Sequence, residues 1–298
     1  MTRRIRQRLA AILGVLALFS RLIAASQDQP TAEHLLARLD TYFETYHDAL
    51  GKLVADERLV QEVGGSASRR ASGVNAIKLT QDIRSDVAFI ELPGDNGWLG
   101  FRDVRTVNGR QVRAAGPSLA ELLLKGNADN YQQARALLLA SARHNLGDPR
   151  TTNLPTLPLE LLHHRHRWRY DVRIEGNDRV EGRRTTMVVL TERSTPSLIR
   201  RGDGGDLMTR VVGWIEPDSG QLWRAEVRLE DPRIIFAERH AAPTLRVNFG
   251  LHKALGVIVP THMEEQFFDS VHSSGVGNAR YDNFRRFETD ARLVPPPN

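Results

Sequence analysis

The stretch Arg167-Trp168-Arg169-Tyr170-Asp171-Val172-Arg173-Ile174-Glu175 sets an apolar residue at every second position and a charge between each pair. A period of two puts Trp168, Tyr170, Val172 and Ile174 on one face of an extended strand and the charges on the other, the pattern of a half-buried antiparallel strand. Arg184 to Glu192 follows as its partner. The alternation returns downstream, where Trp223, Ala225, Val227 and Leu229 are interleaved with Arg224, Glu226, Arg228 and Glu230. That strand pairs with Val211 to Ile215 across the turn Glu216-Pro217-Asp218-Ser219-Gly220. Further strands are expected at Thr244 to Gly250, Val257 to Phe268 and Ala279 to Glu288.

Upstream, Ile77 to Leu92 and Gly97 to Val107 read as two strands joined by Pro93-Gly94-Asp95-Asn96, and Asn108-Gly109 gives a second tight turn before Gln111-Val112. Before them, Leu35, Leu36, Leu39, Tyr42, Phe43, Tyr46 and Leu53 recur at helical spacing, predicting an amphipathic helix from Thr31 to about Leu53 with Thr31 as its N-cap. The Gly/Ser-rich segment Gly64 to Gly73 reads as a turn between strands. Two helices interrupt the meander, Ser118 to Lys125 and Asp129 or Asn130 to about Asn145, and Thr151 to Leu159 is expected to be extended. No repeat and no composition break divides the chain, so one domain is expected over residues 27–294, with 295–298 as a frayed Pro-rich tail.

The chain opens with Arg3, Arg4, Arg6 and Arg8, continues with an apolar run from Leu9 to Phe19, and reaches the small residues Ala24, Ala25 and Ser26. This is the order of a secretory signal, so residues 1–26 are expected to be cleaved on export to the periplasm or beyond. The apolar run is about half of the roughly 20 residues a membrane anchor needs. The net charge is +5, but residues 1–26 hold five arginines and no acid, which leaves the mature chain at zero. A surplus of cations for nucleic-acid binding is therefore missing. The chain has no cysteine, so neither a disulfide framework nor a lipid-bearing cysteine is expected.

An exported chain with an N-terminal amphipathic helix followed by a long antiparallel meander and inserted helices resembles the periplasmic lipoprotein-carrier superfamily of LolA, LolB and the RseB N-terminal domain. The resemblance implies an α+β fold in which a strongly curved antiparallel sheet, a half-barrel meander, wraps the N-terminal helix and two inserted helices. It also implies an apolar concavity that holds acyl chains. Four segments, Val54-Ala55-Asp56-Glu57, Gly100-Phe101-Arg102-Asp103-Val104, Asn153-Leu154-Pro155-Thr156 and Tyr281-Asp282-Asn283-Phe284-Arg285-Arg286-Phe287, are similar to segments of an uncharacterised secreted bacterial family. That similarity implies no activity.

Catalytic and metal chemistry each have a simpler reading. His163-His164-Arg165-His166 is the densest ligand-like cluster, but adjacent side chains diverge and two arginines repel a cation, so an exposed basic corner is expected. Ser219 sits among turn residues that the hairpin already explains. Of the acid pairs Asp56-Glu57 and Glu264-Glu265, consecutive strand residues face opposite ways, so each pair is expected to give one solvent-facing acid and one salt-bridged inward. Arg200-Arg201-Gly202-Asp203-Gly204-Gly205-Asp206 lacks the ligand spacing of a calcium loop and reads as a connection. No catalytic residue, metal or cofactor is expected.

What remains is aromatic. Phe89, Phe101, Trp168, Tyr170, Trp214, Trp223 and Phe249 fall at positions expected to face inward on successive strands. Their convergence on one face would line an apolar site for a lipid or acyl chain. The expected function is a non-enzymatic exported carrier of a lipid or lipoprotein. Alternatives are an envelope protein-interaction or sensor module that adds a strand at an open sheet edge, and a hydrolase of unrecognised type.

Overall fold

The computed structural model describes residues 31–64, 79–91, 98–112, 129–231, 242–268, 274–288 and 292–294. The expected cleavage segment, the Pro93–Asn96 turn, the Ser118–Lys125 helix, most of Gly64–Gly73 and the C-terminal tail lie outside them.

Helix α1 covers Ala32–Leu50. Thr31 caps it as expected, its Oγ1 accepting from the His34 amide (3.2 Å). Leu35, Leu36, Leu39, Phe43, Tyr46 and Leu50 form its buried stripe. The strands are β1 (Leu53–Val63), β2 (Leu79–Glu91), β3 (Trp98–Val107), β4 (Arg110–Gln111), β5 (Tyr170–Val180), β6 (Arg183–Glu192), β7 (Ile199–Arg200), β8 (Asp206–Ile215), β9 (Leu222–Glu230), β10 (Thr244–His252), β11 (Val257–Phe268), β12 (Ser274–Glu288) and β13 (Arg292–Val294). Helices α2 (Asp129–Ala142) and α3 (Leu157–Leu162) interrupt them. Asn108 and Gly109 both take positive φ (50° and 74°), the tight turn that the Asn-Gly pair foretold.

All pairings are antiparallel, and the order is β4-β3-β2-β1-β12-β11-β10-β9-β8-β6-β5, with β13 on β12 and β7 on β8. The N-terminal strands thus join the C-terminal meander through β1 and β12. One inner face runs the width of the sheet through the register Ile83, Leu59, Ala279, Met263, Val247, Ala225, Gly213, Val188, Ile174.

The sheet is strongly curved. Helix α3 is only six residues long and touches β3 on one side and β8 and β9 on the other. Flat, β3 and β9 would lie roughly 29 Å apart, six strand spacings, whereas six helical residues span roughly 9 Å. The curl closes that gap. Glycines mark both contacts: a Cβ on Gly100 of β3 would lie 2.6 Å from Thr156 Oγ1, and one on Gly213 of β8 would lie 3.5 Å from Leu162. Helix α1 completes the filling, contacting β2, β5 and β11.

Two expectations give way locally. The stretch expected to be extended up to Leu159 instead turns into α3, whose Pro158 falls within the first two positions, where the missing N–H costs nothing. His164–Arg169 winds into a 3-10 turn, so the strand begins at Tyr170 and Trp168 is not part of it.

The helix is locked by a close approach. Gly220 has φ +74°, and a Cβ there would lie 2.2 Å from the Arg38 carbonyl oxygen. Gly220→Ala should therefore destabilise the fold by about 2–4 kcal/mol in denaturant titration. Gly256→Ala is the control, because Gly256 has φ +65° with nothing within 4 Å; it should lose only about 1 kcal/mol.

Candidate functional site

The seven aromatics do not share one face. Phe89, Tyr170 and Phe249 point inward and are buried, with Phe89 stacked against Phe284 at 6.5 Å and the Tyr170 hydroxyl 2.8 Å from Thr209 Oγ1. Phe101 is buried on the opposite side of the sheet, in the row Phe101, Ala88, Val54. Trp214 also faces outward, in register with Met187 and Arg224, and its Nε1 donates to Asp178 (2.9 Å). Trp223 is the extra residue where the β8–β9 register shifts, beneath the Arg183 guanidinium at 4.0 Å. Trp168 is 66% exposed on the 3-10 turn.

The interior holds instead a buried polar network that only its acids foreshadowed. As expected of alternating residues, Asp56 and Glu264 face outward while Glu57 and Glu265 point in, 1% and 4% exposed. Arg102 on β3 grips Glu57 with two bonds, Nε to Oε2 (2.5 Å) and Nη2 to Oε1 (2.8 Å). It also donates to the Asn153 backbone oxygen (2.8 Å) and Oδ1 (3.2 Å), and the Tyr281 hydroxyl donates to Glu57 Oε1 (2.9 Å). Asn153 Nδ2 reaches Asn145 Oδ1 (2.7 Å), and Gln61 links Asn145 (2.9 Å) to Glu265 (2.7 Å). Arg150 closes the far end, bidentate to Glu265 (2.9 and 3.0 Å) and with its guanidinium carbon 3.5 Å above the centre of the Phe267 ring. The small residues of β12 make room: a Cβ on Gly277 would strike the Glu265 side chain, and one on Gly275 the Phe267 ring.

Glu57, Arg102, Asn153 and Tyr281 come one each from the four segments noted in the sequence. Burial alone would push the Arg102 guanidinium down; the Glu57 carboxylate beside it reverses the effect and raises it. Burial pushes the Tyr281 phenol well above its ordinary value, and the Glu57 charge adds to that. The site thus holds two neutralised ion pairs and a phenol that keeps its proton. These groups tie residues 145–153 to β1, β3 and β11.

Beside this network lies a cleft of about 160 Å³. Leu157, Val227, Leu229, Leu245 and Phe267 give it apolar walls, and Arg150 and Glu265 edge it on the network side. None of the seven aromatics lines it. Phe267, Val227 and Leu229 carried the relevant signal, as inward positions at one end of the sheet.

The other sequence candidates fall to structural roles. The rings of His163 and His164 lie 4.4 Å apart, tilted at 33°, and His166 Nε2 lies 2.7 Å from Glu160. Among the described residues, no three His, Cys, Asp or Glu side chains are grouped to hold a metal ion. Ser219 bonds Glu216 (2.5 Å) within its turn, and Asp203 accepts from the Gly205 amide (2.9 Å) within its loop. No helix among the described residues is long and apolar enough to cross a membrane.

No family model matches the chain, and no curated protein does. Solved structures are similar to it. A Vibrio parahaemolyticus domain assigned to outer-membrane lipoprotein sorting is 10% identical, with 86% of this chain and 93% of that one covered at a TM-score of 0.40. A DUF1329 family protein from Desulfovibrio piger is 12% identical over 87% and 94%, at 0.37. A LolA superfamily protein from Nitrosomonas europaea is 13% identical over 87% and 94%, at 0.34. The superfamily that the element order resembles is thus among the matches.

Two outcomes follow from the network. Arg102→Met strands the Glu57 charge in the interior and should destabilise the protein by about 3–5 kcal/mol, while the double variant Glu57→Leu/Arg102→Met should recover most of it. Denaturant titration of the three proteins reads this directly. Burial also raises Tyr42, Tyr46 and Tyr170 along with Tyr281. Above about pH 10 the unfolded chain releases protons that the folded one keeps, so stability falls as pH rises, by up to about 1.4 kcal/mol per unit for each tyrosine. Phenolate absorbance from these four tyrosines should accordingly appear with, not before, the loss of circular dichroism.

Proposed function

We propose that the protein is an exported, non-enzymatic binding protein for an apolar ligand, taking the end of a lipid or acyl chain into the cleft at the β9–β11 end of the sheet. One observation carries this reading: the concavity is filled by α1 and residues 154–162, yet an apolar-walled cleft of about 160 Å³ persists beside them. A dry cavity of about 150 Å³ lined by Leu, Ile and Phe holds benzene, so this one admits a chain end rather than a whole lipid. Arg150 and Glu265 neutralise each other at its edge, which favours an uncharged terminus entering tail first, with the head group left outside. The signal-like start of the chain fits a periplasmic or secreted location, where such a ligand would be a lipid or lipoprotein.

Titration with a fluorescent fatty-acid probe should show saturable binding, and mass spectrometry of a lipid extract of the purified protein should identify a bound chain. Leu245→Trp, which fills the cleft, should weaken the probe about tenfold or more while the thermal transition persists. A protein that yields no lipid and binds no probe is not a carrier.

A further inference from the structure

Strand β5 ends the sheet: it pairs with β6 on one side and with nothing among the described residues on the other. We propose that this edge pairs with the same edge of a second copy of the chain, antiparallel and centred on Val172, so that two sheets join into one. The inference does not depend on the cleft.

The charges select that register. With Val172 on the two-fold axis, Asp171 of each copy faces Arg173 of the other, so opposite charges meet on both sides of the axis. On the inner face Val172 meets Val172 and Tyr170 meets Ile174; Val172 and Ile174 are only half-buried in the single chain. Centring the axis on Arg173 instead sets arginine against arginine and Asp171 against Glu175. Centring it on Ile174 runs the pair into the register shift between Ile174 and Gly176. Any register between residues opposes inner to outer faces.

The most exposed large apolar side chain among the described residues supports the same arrangement. Trp168 is 66% exposed on the 3-10 turn just before the strand, at the end of the paired segment. It becomes an aromatic anchor at each end of the joint. The intrachain pairs that now occupy these charges, Arg193–Asp171 and Arg173–Glu175, join well-exposed groups and exchange partners at little cost. A contact this short supports a weak, reversible dimer.

Sedimentation equilibrium on the full-length mature protein should show a monomer–dimer equilibrium, roughly micromolar. Asp171→Arg places arginines opposite Arg173 twice and should weaken it about tenfold or more; adding Arg173→Asp restores opposite charges and should restore the dimer. The chain has no cysteine, so Val172→Cys gives a clean second reading: on oxidation it should crosslink to a covalent dimer, whereas Arg179→Cys, outside the paired segment, should not. A wild-type protein that stays monomeric at the highest concentration, with no Val172→Cys crosslink, overturns the proposal. So does dimerisation that Asp171→Arg leaves unchanged, and so does an edge that pairs only with the extended strand of a different protein.

Discussion

The buried Arg102–Glu57 pair is the interaction on which the interior depends. Arg102 comes from β3 and Glu57 from β1, two strands apart, and the same guanidinium holds the backbone and side chain of Asn153. An ion pair out of water is costly unless every donor finds an acceptor. Here the remaining donors of Arg102 are used to fix residue 153, three positions ahead of the turn that seats α3. The electrostatics of the pair and the placement of the chain filling the concavity are therefore one constraint.

The second pair, Arg150–Glu265, works at the other end of the same segment, and Gln61 with Asn145 bridges the two. Residues 145–156 are thus stitched to β1, β3 and β11 by side chains that leave no net charge inside. The helix on the opposite flank uses a different means. Its apolar stripe enters the concavity by burial alone, steered at its rim by Arg167 on Asp40 and by the close approach of Gly220 to Arg38. The cleft lies beside the first of these fillings, between Arg150, Thr152 and Leu157 and the strands β9, β10 and β11.

Curvature explains how a small amount of chain can fill so wide a sheet. Once β3 and β8 face each other, one short helix touches both, and glycines at 100 and 213 admit it. The same curvature leaves β5 as an edge whose inner residues, Val172 and Ile174, are covered on one side only. The cleft and the open edge are thus separate consequences of one bent sheet.

Much of this was written in the sequence. The strand alternation, the Thr31 cap, the Asn108-Gly109 turn and the division of each acid pair into one inner and one outer residue follow from local periodicity, which needs no neighbours to be read. The convergence of the aromatics was not legible in the same way. Alternation says that Phe101 and Trp214 lie opposite their chain neighbours, but which side is the inside is set by pairing with Ala88 and Met187, and register shifts such as the one at Trp223 reset the count. Nor could it show that Glu57, Arg102, Asn153 and Tyr281 meet, since they are up to 224 positions apart in the chain. Local sequence determined which residues could face a core; only the closing of the sheet, a long-range constraint, decided which of them did and what they touched there.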